Sequence, residues 1–158
     1  MSLSRESWGP KFWKILHTLA ENSGSIVSPI LANDEADTWE LLLKNQAFVM
    51  PCVLCRDHYI NYKSTRRIPN LRELQGEDRR DFLRKWLWSC HNNVNMITHK
   101  NILPIEDLPI LYNNKNIVDT YNDICLMLSI AMQRSQLKLD DVKRWKTIVT
   151  RLRMLYSI

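Results

Sequence analysis

The segment Pro51-Cys52-Val53-Leu54-Cys55 contains two of the chain's four cysteines, two residues apart and directly after a proline. In a helix such a pair lies on adjacent turns and can close a small disulfide, so that one sulfur forms a mixed disulfide and the other resolves it. Pro51 can open a helix, which would place Cys52 in a first turn, where the helix dipole favours thiolate over thiol. By itself the segment fits a redox pair, half of a zinc site or two buried small side chains.

The composition favours a single helical domain. The 158 residues include only three glycines but six tryptophans, and this length is enough for one proper core. No apolar run approaches the length of a membrane span, and the N-terminus shows no apolar signal-peptide core. The net charge is +5, but the basic residues are spread out rather than gathered into a stripe, so we expect no nucleic-acid partner.

Apolar residues recur at helical spacing between well-separated breakers, which predicts an all-α protein. We expect the first helix to begin at Ser7–Pro10 and the second to begin near Asp34. The other helices should start at the cysteine segment, at Glu77-Asp78, near residue 117 and at residue 140. Pro69 is expected to stop the helix that carries the cysteines.

A polar segment interrupts the apolar face of the fourth helix. His91, Asn92 and Asn95 fall at positions i, i+1 and i+4 and would share one face. Asparagine and histidine cost helix propensity, so we expect this face to hydrogen-bond to something specific. The alternative is a frayed helix end, which we rank second because apolar residues flank the segment on both sides.

Several motifs occur in a fixed order over about residues 8–112. They are Trp8-Gly9-x-x-x-Trp13-x-x-x-His17, then Pro51-Cys52-x-x-Cys55, then Trp86 five residues before His91, then His91-Asn92-x-Val94-Asn95 with Lys100 after it. Together they closely resemble the Erv/ALR family of FAD-linked sulfhydryl oxidases. The amino-acid sequences of these motifs are most similar to those of the branch carried by large cytoplasmic DNA viruses.

The resemblance implies a four-helix bundle around FAD with a short fifth helix, here followed by extra C-terminal helices. Residues 1–114 would form the FAD-binding sulfhydryl oxidase core. Residues 115–158 would form a C-terminal helical extension that packs on the core or on a dimer partner.

The resemblance also assigns roles to single residues. Residues on the first helix would line the cofactor, and residues on the fourth helix would hold its adenine and ribose side: Trp8, Gly9, Trp13 and His17, then His91, Asn92, Val94 and Asn95. Lys100 would reach toward the pyrophosphate or ribose. The Cys52–Cys55 disulfide would lie beside the isoalloxazine ring, with Cys52 attacked by substrate and Cys55 passing electrons to the flavin.

The partners implied by the resemblance are a thiol-containing protein substrate or a thioredoxin-like redox protein, with O2 as the acceptor that yields H2O2. A homodimer is expected, with no bound metal, no nucleic acid and no transmembrane segment. The implied location is the host cytoplasm or the virion, with the mitochondrial intermembrane space as the alternative.

The chain departs from the family pattern in its remaining cysteines. Many cellular members carry a cysteine three residues before the His-Asn motif, paired with a later one, whereas this chain has Trp88 there. We therefore expect no such structural disulfide. Cys90 is expected to be buried and free, and Cys125 lies outside the matching region.

Two other functions compete with the oxidase. The first is a structural zinc module that uses Cys52, Cys55, Cys90 and His91, a ligand set that tetrahedral coordination permits. The second is a helical interaction protein whose cysteines are inert. The zinc module leaves the Trp-Gly motif and the asparagines of the fourth helix unexplained, and the interaction protein predicts that no flavin is bound.

Overall fold

The structure is a computed structural model that describes residues 3–158, and in this range every regular element is helical. The α-helices are α1 (Arg5–Glu21), α2 (Pro29–Asn45), α3 (Val53–Thr65), α4 (Glu77–Ile97), α5 (Leu108–Tyr112), α6 (Val118–Gln133) and α7 (Leu139–Tyr156). Short 3-10 turns lie at Gln46–Val49, Leu71–Glu73 and Ile105–Asp107. The prediction of an all-α fold is confirmed. No helix of the described range is both long enough and apolar enough to cross a bilayer.

Two helices begin earlier than the sequence predicted. α1 starts at Arg5, so that Pro10 lies inside the helix instead of in its first turn. α2 starts at Pro29 rather than near Asp34, because Ser28 caps it by accepting a hydrogen bond from the backbone N–H of Leu31. A serine cap followed by proline at the first helical position is a strong helix start.

The start of α3 also differs from the prediction. The helix begins at Val53, and Cys52 is its N-cap residue rather than part of its first turn. The Cys52 sulfur accepts a hydrogen bond from the backbone N–H of Cys55 at 3.2 Å. Cys55 is therefore the cysteine that lies in the first turn, where the helix dipole acts.

The C-terminal helices pack against the first two helices in one apolar core. α6 lies against α1, and α7 lies along α2. Leu128 of α6 and Trp145 of α7 are fully buried in the same cluster as Trp39 of α2. The division at residue 114 into a core and an extension stays a prediction.

A buried ion pair joins α2 to α4. The Arg79 guanidinium donates to a Glu35 carboxylate oxygen at 2.9 Å, with side-chain exposures of 2% and 0%. Arg79 also donates to the backbone carbonyls of Leu71 and Ala32, at 3.1 and 2.8 Å. A buried charge is tolerated only when it is paired and hydrogen-bonded in this way.

The second carboxylate oxygen of Glu35 extends the cluster to α7. It accepts hydrogen bonds from the backbone N–H of Gly24 at 2.9 Å and from the Tyr156 hydroxyl at 2.5 Å. The indole N–H of Trp39 donates to the same hydroxyl at 2.8 Å. One carboxylate therefore links α2, α4, α7 and the loop after α1.

Arg79→Ala is expected to lower the free energy of unfolding by about 3–5 kcal/mol, because Glu35 would be left as an uncompensated buried charge. The control is Arg72→Ala, which breaks the solvent-exposed pair with Asp37 and should have a much smaller effect. Urea denaturation at pH 7 measures both. Equal losses in the two variants would contradict a special role for the buried pair.

Candidate functional site

Cys52 and Cys55 are joined in a disulfide whose Cα atoms are 5.3 Å apart. Both residues are half-buried, whereas Val53 and Leu54 between them are 69% and 58% exposed. The Arg56 guanidinium donates to the backbone carbonyl of Met50 at 3.0 Å and so ties the start of α3 to the preceding segment. The disulfide is therefore held firmly beside an exposed apolar surface.

A cleft between α1, α3 and α4 lies next to this disulfide. Most of its walls are apolar or aromatic, and its lining residues are Arg5, Trp8, Gly9, Phe12, Trp13, Leu16, Gln46, Met50, Cys55, His58, Tyr59, Tyr62, Cys90, Asn93, Val94, Ile97 and Thr98. Cys55 belongs to this lining and Cys52 does not. Aromatic walls with a few polar groups suit a flat heterocyclic ligand.

Trp86 lies behind the cleft and supports its aromatic wall. Its ring meets Tyr59 and Tyr62 edge-on, with centroids 6.1 and 5.3 Å away. The indole N–H of Trp86 donates to the backbone carbonyl of Arg66 at 3.1 Å, and the Tyr59 hydroxyl donates to that of Leu43 at 2.6 Å. The hydrogen bonds and the two ring contacts together hold Tyr59 and Tyr62 in the wall of the cleft.

Two histidines form a stacked, hydrogen-bonded pair between α1 and α4. His17 Nε2 lies 3.0 Å from His91 Nδ1, and the His91 ring stacks on Trp13 with centroids 4.2 Å apart. Burial, and secondarily the neighbouring His91, lowers the pKa of His17 to about 3. Burial, and secondarily the positive charge of Lys100, lowers the pKa of His91 to about 4. Both rings are therefore neutral at pH 7.

The asparagines of α4 hold the loop that follows the helix. Asn92 exchanges two hydrogen bonds with the backbone of Leu103, donating at 2.9 Å and accepting at 2.8 Å. Asn95 donates to the Asn92 side chain at 3.3 Å, and the Trp88 indole donates to the Leu103 carbonyl at 2.7 Å. The prediction that this polar face makes specific hydrogen bonds is confirmed: Asn92 bonds to the backbone of Leu103, Asn95 to the Asn92 side chain and His91 to His17. The frayed-end alternative is wrong, because α4 continues to Ile97.

The residues predicted to contact a cofactor fall into two groups in the structure. Trp8, Gly9, Trp13 and Val94 line the cleft. The others lie outside its lining and support it or border it: His17, His91, Asn92, Asn95 and Lys100. Lys100 is exposed, and its backbone N–H donates to the Asn95 carbonyl at 2.8 Å, which brings it back toward His91.

Gln46 is a cleft residue that the sequence analysis missed. Its side chain is fully buried, and its oxygen accepts a hydrogen bond from the Trp145 indole at 2.9 Å. Its amide nitrogen has no hydrogen-bond partner. Phe12 and Tyr59 were also missed, although their helical spacing from predicted site residues could have indicated them. Helical spacing from Trp39 and Leu42 places Gln46 on the inner face of the second helix, but no local signal marks its contact with Trp145, 99 positions away.

The described residues contain no preassembled zinc site. Among residues 3–158, no group of three or more His, Cys, Asp or Glu side chains is arranged to hold a metal ion. Cys52 and Cys55 are bonded to each other. Cys90 is buried and free, as the sequence predicted, and Cys125 is also free.

Comparisons of the sequence with known proteins all indicate the same protein family. The profile of the Erv1 / Alr family matches residues 10–113. A protein named "FAD-linked sulfhydryl oxidase" from African swine fever virus is 30% identical over 115 residues, covering 66% of this chain and 79% of that protein. A protein named "Putative FAD-linked sulfhydryl oxidase 347L" from Invertebrate iridescent virus 6 is 28% identical over 99 residues, covering 61% and 84%. No solved structure was found to match the chain.

Stability is expected to fall as the pH drops below about 6.5, the ordinary pKa of histidine in an unfolded chain. Between that pH and about 4, His17 and His91 are protonated in the unfolded chain but stay neutral in the folded protein. Acid therefore favours the unfolded state. Above pH 6.5 neither state binds these protons, and the contribution is fully present. Urea denaturation from pH 7.5 to 4.5 should show a shallower decline in His17→Gln than in the native chain. Parallel declines would contradict the assignment.

Proposed function

The chain belongs to the Erv1/Alr family, and from this premise we propose that it is an FAD-dependent sulfhydryl oxidase that forms disulfides in thiol-containing proteins. The observation that carries the proposal is the position of the Cys52–Cys55 disulfide. Its inner sulfur belongs to a wall of an aromatic cleft, and its outer sulfur lies beside exposed Val53 and Leu54.

The residues of the cleft fit a flavin. Trp8, Phe12 and Tyr59 offer flat or edge-on aromatic surfaces for a ring system, and Gln46 offers a buried amide donor without a partner. Gly9 adds no side chain to the wall, and a Cβ built on it would meet nothing within 4 Å. Lys100 supplies a positive charge near His91 that suits a phosphate-bearing ligand. When bound, FAD would supply two-electron redox chemistry, taking the electron pair of the reduced Cys52–Cys55 dithiol and passing it, with two protons, to O2 to give H2O2.

The positions of the two cysteines support the roles that the family resemblance implies for them. A substrate thiolate attacks the Cys52 sulfur, forms a mixed disulfide and releases Cys55 as a thiolate. A second substrate thiolate then attacks the substrate sulfur of this bond, so the substrate leaves oxidised and Cys52 leaves as a thiolate. Cys55 lies in the first turn of α3, whose N-terminal dipole stabilises its thiolate inside the cleft.

Cys90 takes no part in this exchange. It lines the same cleft, but burial raises the pKa of its thiol to about 12. The nucleophile in disulfide exchange is the thiolate, and at neutral pH Cys90 is a neutral thiol. The thiol chemistry of the cleft is thereby confined to the Cys52–Cys55 pair.

We place the substrate at the exposed side of the disulfide. Val53 and Leu54 form an apolar surface on which a protein dithiol, or a thioredoxin-like partner, can dock while its thiolate reaches Cys52. The relatives come from viruses, and we expect the chain to act in the cytoplasm of an infected cell or in the virion. A homodimer remains a prediction, which sedimentation of the purified protein tests.

The purified protein is expected to be yellow, to bleach when a dithiol is added without oxygen, and to recover its colour in air. Cys52→Ala and Cys55→Ala should retain FAD but lose dithiol oxidation to background, because either change removes the exchangeable disulfide. Cys125→Ser is the control and should keep full turnover. Visible absorption and oxygen consumption measure these outcomes. A colourless protein that added FAD does not restore, or turnover in either alanine variant, would overturn the proposal.

His91→Ala and Asn95→Ala are expected to weaken FAD binding about 10- to 100-fold. The first leaves Nε2 of buried His17 without its partner, at a cost of about 1–3 kcal/mol. The second removes the donor to the Asn92 oxygen that also holds Leu103. His99→Ala, on the exposed turn after α4, is the matched control and should bind FAD normally. Flavin content after gel filtration measures the effect. Wild-type flavin content in both variants would argue against a supporting role for these residues.

A further inference from the structure

Gln46 is unusual because the oxygen of its buried side-chain amide has a hydrogen-bond partner and the nitrogen has none. It lies in the 3-10 turn after α2 and has no exposed surface. Its oxygen accepts the Trp145 indole N–H at 2.9 Å, and its nitrogen has no partner. The same side chain lines the cleft beside Cys55.

The orientation of this amide follows from the chemistry of its partner. An indole N–H can only donate a hydrogen bond, so the atom of Gln46 that meets Trp145 must be the oxygen. Turning the amide over would place two donors against each other. The NH2 group is thereby forced to the other side of the side chain.

A buried donor without an acceptor costs free energy, and natural proteins contain few of them. Here the donor belongs to a side chain in the wall of a cleft that is otherwise mostly apolar and aromatic. A heteroaromatic ligand with oxygen or nitrogen acceptors at its edge would satisfy the donor. The isoalloxazine ring of a flavin has such an edge.

We propose that Gln46 donates a hydrogen bond from its amide to the polar edge of the bound isoalloxazine ring, and that Trp145 is the positioning residue that aims this amide. The inference rests on the proposed function, since it requires a flavin in the cleft. It assigns a task to α7, which lies wholly outside the region that the family profile matches, residues 10–113.

Trp145 is well placed to hold this geometry. It is fully buried, and its ring meets Phe12 edge-on with centroids 5.5 Å apart. Phe12 is itself part of the cleft wall. One side chain of α7 therefore braces the cleft at two points, through a hydrogen bond to Gln46 and through contact with Phe12.

The hydrogen bond should change the properties of the ring as well as its affinity. A donor at the polar edge draws electron density from the ring and favours its electron-rich, reduced form. Removing the donor is therefore expected to lower the midpoint potential of the bound flavin. A residue that only supports the fold would not produce this effect.

The first test uses Gln46→Met, which keeps a side chain of similar length and volume but has no amide. FAD titration of the apoprotein, at a temperature where both proteins are folded, should show binding weakened about 10-fold. The midpoint potential of the bound flavin should fall. An unchanged affinity together with an unchanged potential would overturn the inference and leave an ordered water as the partner of the amide.

The second test compares Trp145→Phe with Trp39→Phe. Both tryptophans are fully buried, and each indole N–H makes one hydrogen bond that links α7 to α2 or to the turn after it. Both variants should lower the melting temperature of the apoprotein, but only Trp145→Phe should weaken FAD binding and lower the potential. Equal effects of the two variants on affinity would show general loosening and would overturn the positioning role.

The two proposals fail in different ways. If the native chain binds no FAD and oxidises no dithiol, the proposed function is wrong and the role of Gln46 falls with it. If the native chain binds FAD and oxidises dithiols while Gln46→Met matches it in affinity and potential, only the inference about Gln46 is wrong.

Discussion

The fold depends on a single carboxylate that has no contact with water. Glu35 is fully buried, so its charge must be compensated by donors that come from different parts of the chain. Arg79 comes from α4, Tyr156 from α7 and the Gly24 amide from the loop after α1. All of these elements must be folded before the negative charge of Glu35 is compensated. Because α2 leads directly into the 3-10 turn that begins at Gln46, the same constraint fixes one wall of the cleft relative to α1 and α4.

The sequence predicted the structural features that depend on neighbouring residues. It did not predict the contacts that depend on residues far apart in the chain. The helices, the closeness of Cys52 to Cys55 and the polar face of α4 are visible in local spacing, whereas a redox role for the cysteines came from the resemblance to the family. The start of α2 was placed too late, because the Ser28 cap lies in a stretch with little apolar periodicity. Cys52 was assigned to a first turn because Pro51 can open a helix, yet the chain begins α3 two residues later. The roles of Gln46 and Glu35 arise only from packing between remote segments.

Hydrogen bonds hold the loop after α4, where the family resemblance implies a disulfide in many cellular members. Trp88 occupies the position where the resemblance places a cysteine, and its indole holds the carbonyl of Leu103. Asn92 clamps the same residue through both of its backbone groups. These bonds do not depend on the redox state of the surroundings, whereas a disulfide does. Asn92 therefore shapes the loop after α4, and its direct contact with the cofactor stays a prediction.

Burial of Cys90 bears on how long such a catalyst survives. An oxidase that reduces O2 releases peroxide close to its own sulfur atoms, and peroxide attacks thiolates rather than neutral thiols. With a thiol pKa of about 12, Cys90 presents almost no thiolate at neutral pH, although it borders the cleft. Sulfenic acid formation, and the irreversible acids beyond it, should therefore be slow at this position. If O2 is the acceptor, as we propose, the packing that excludes water from Cys90 also slows the oxidation of this sulfur by peroxide over many turnovers.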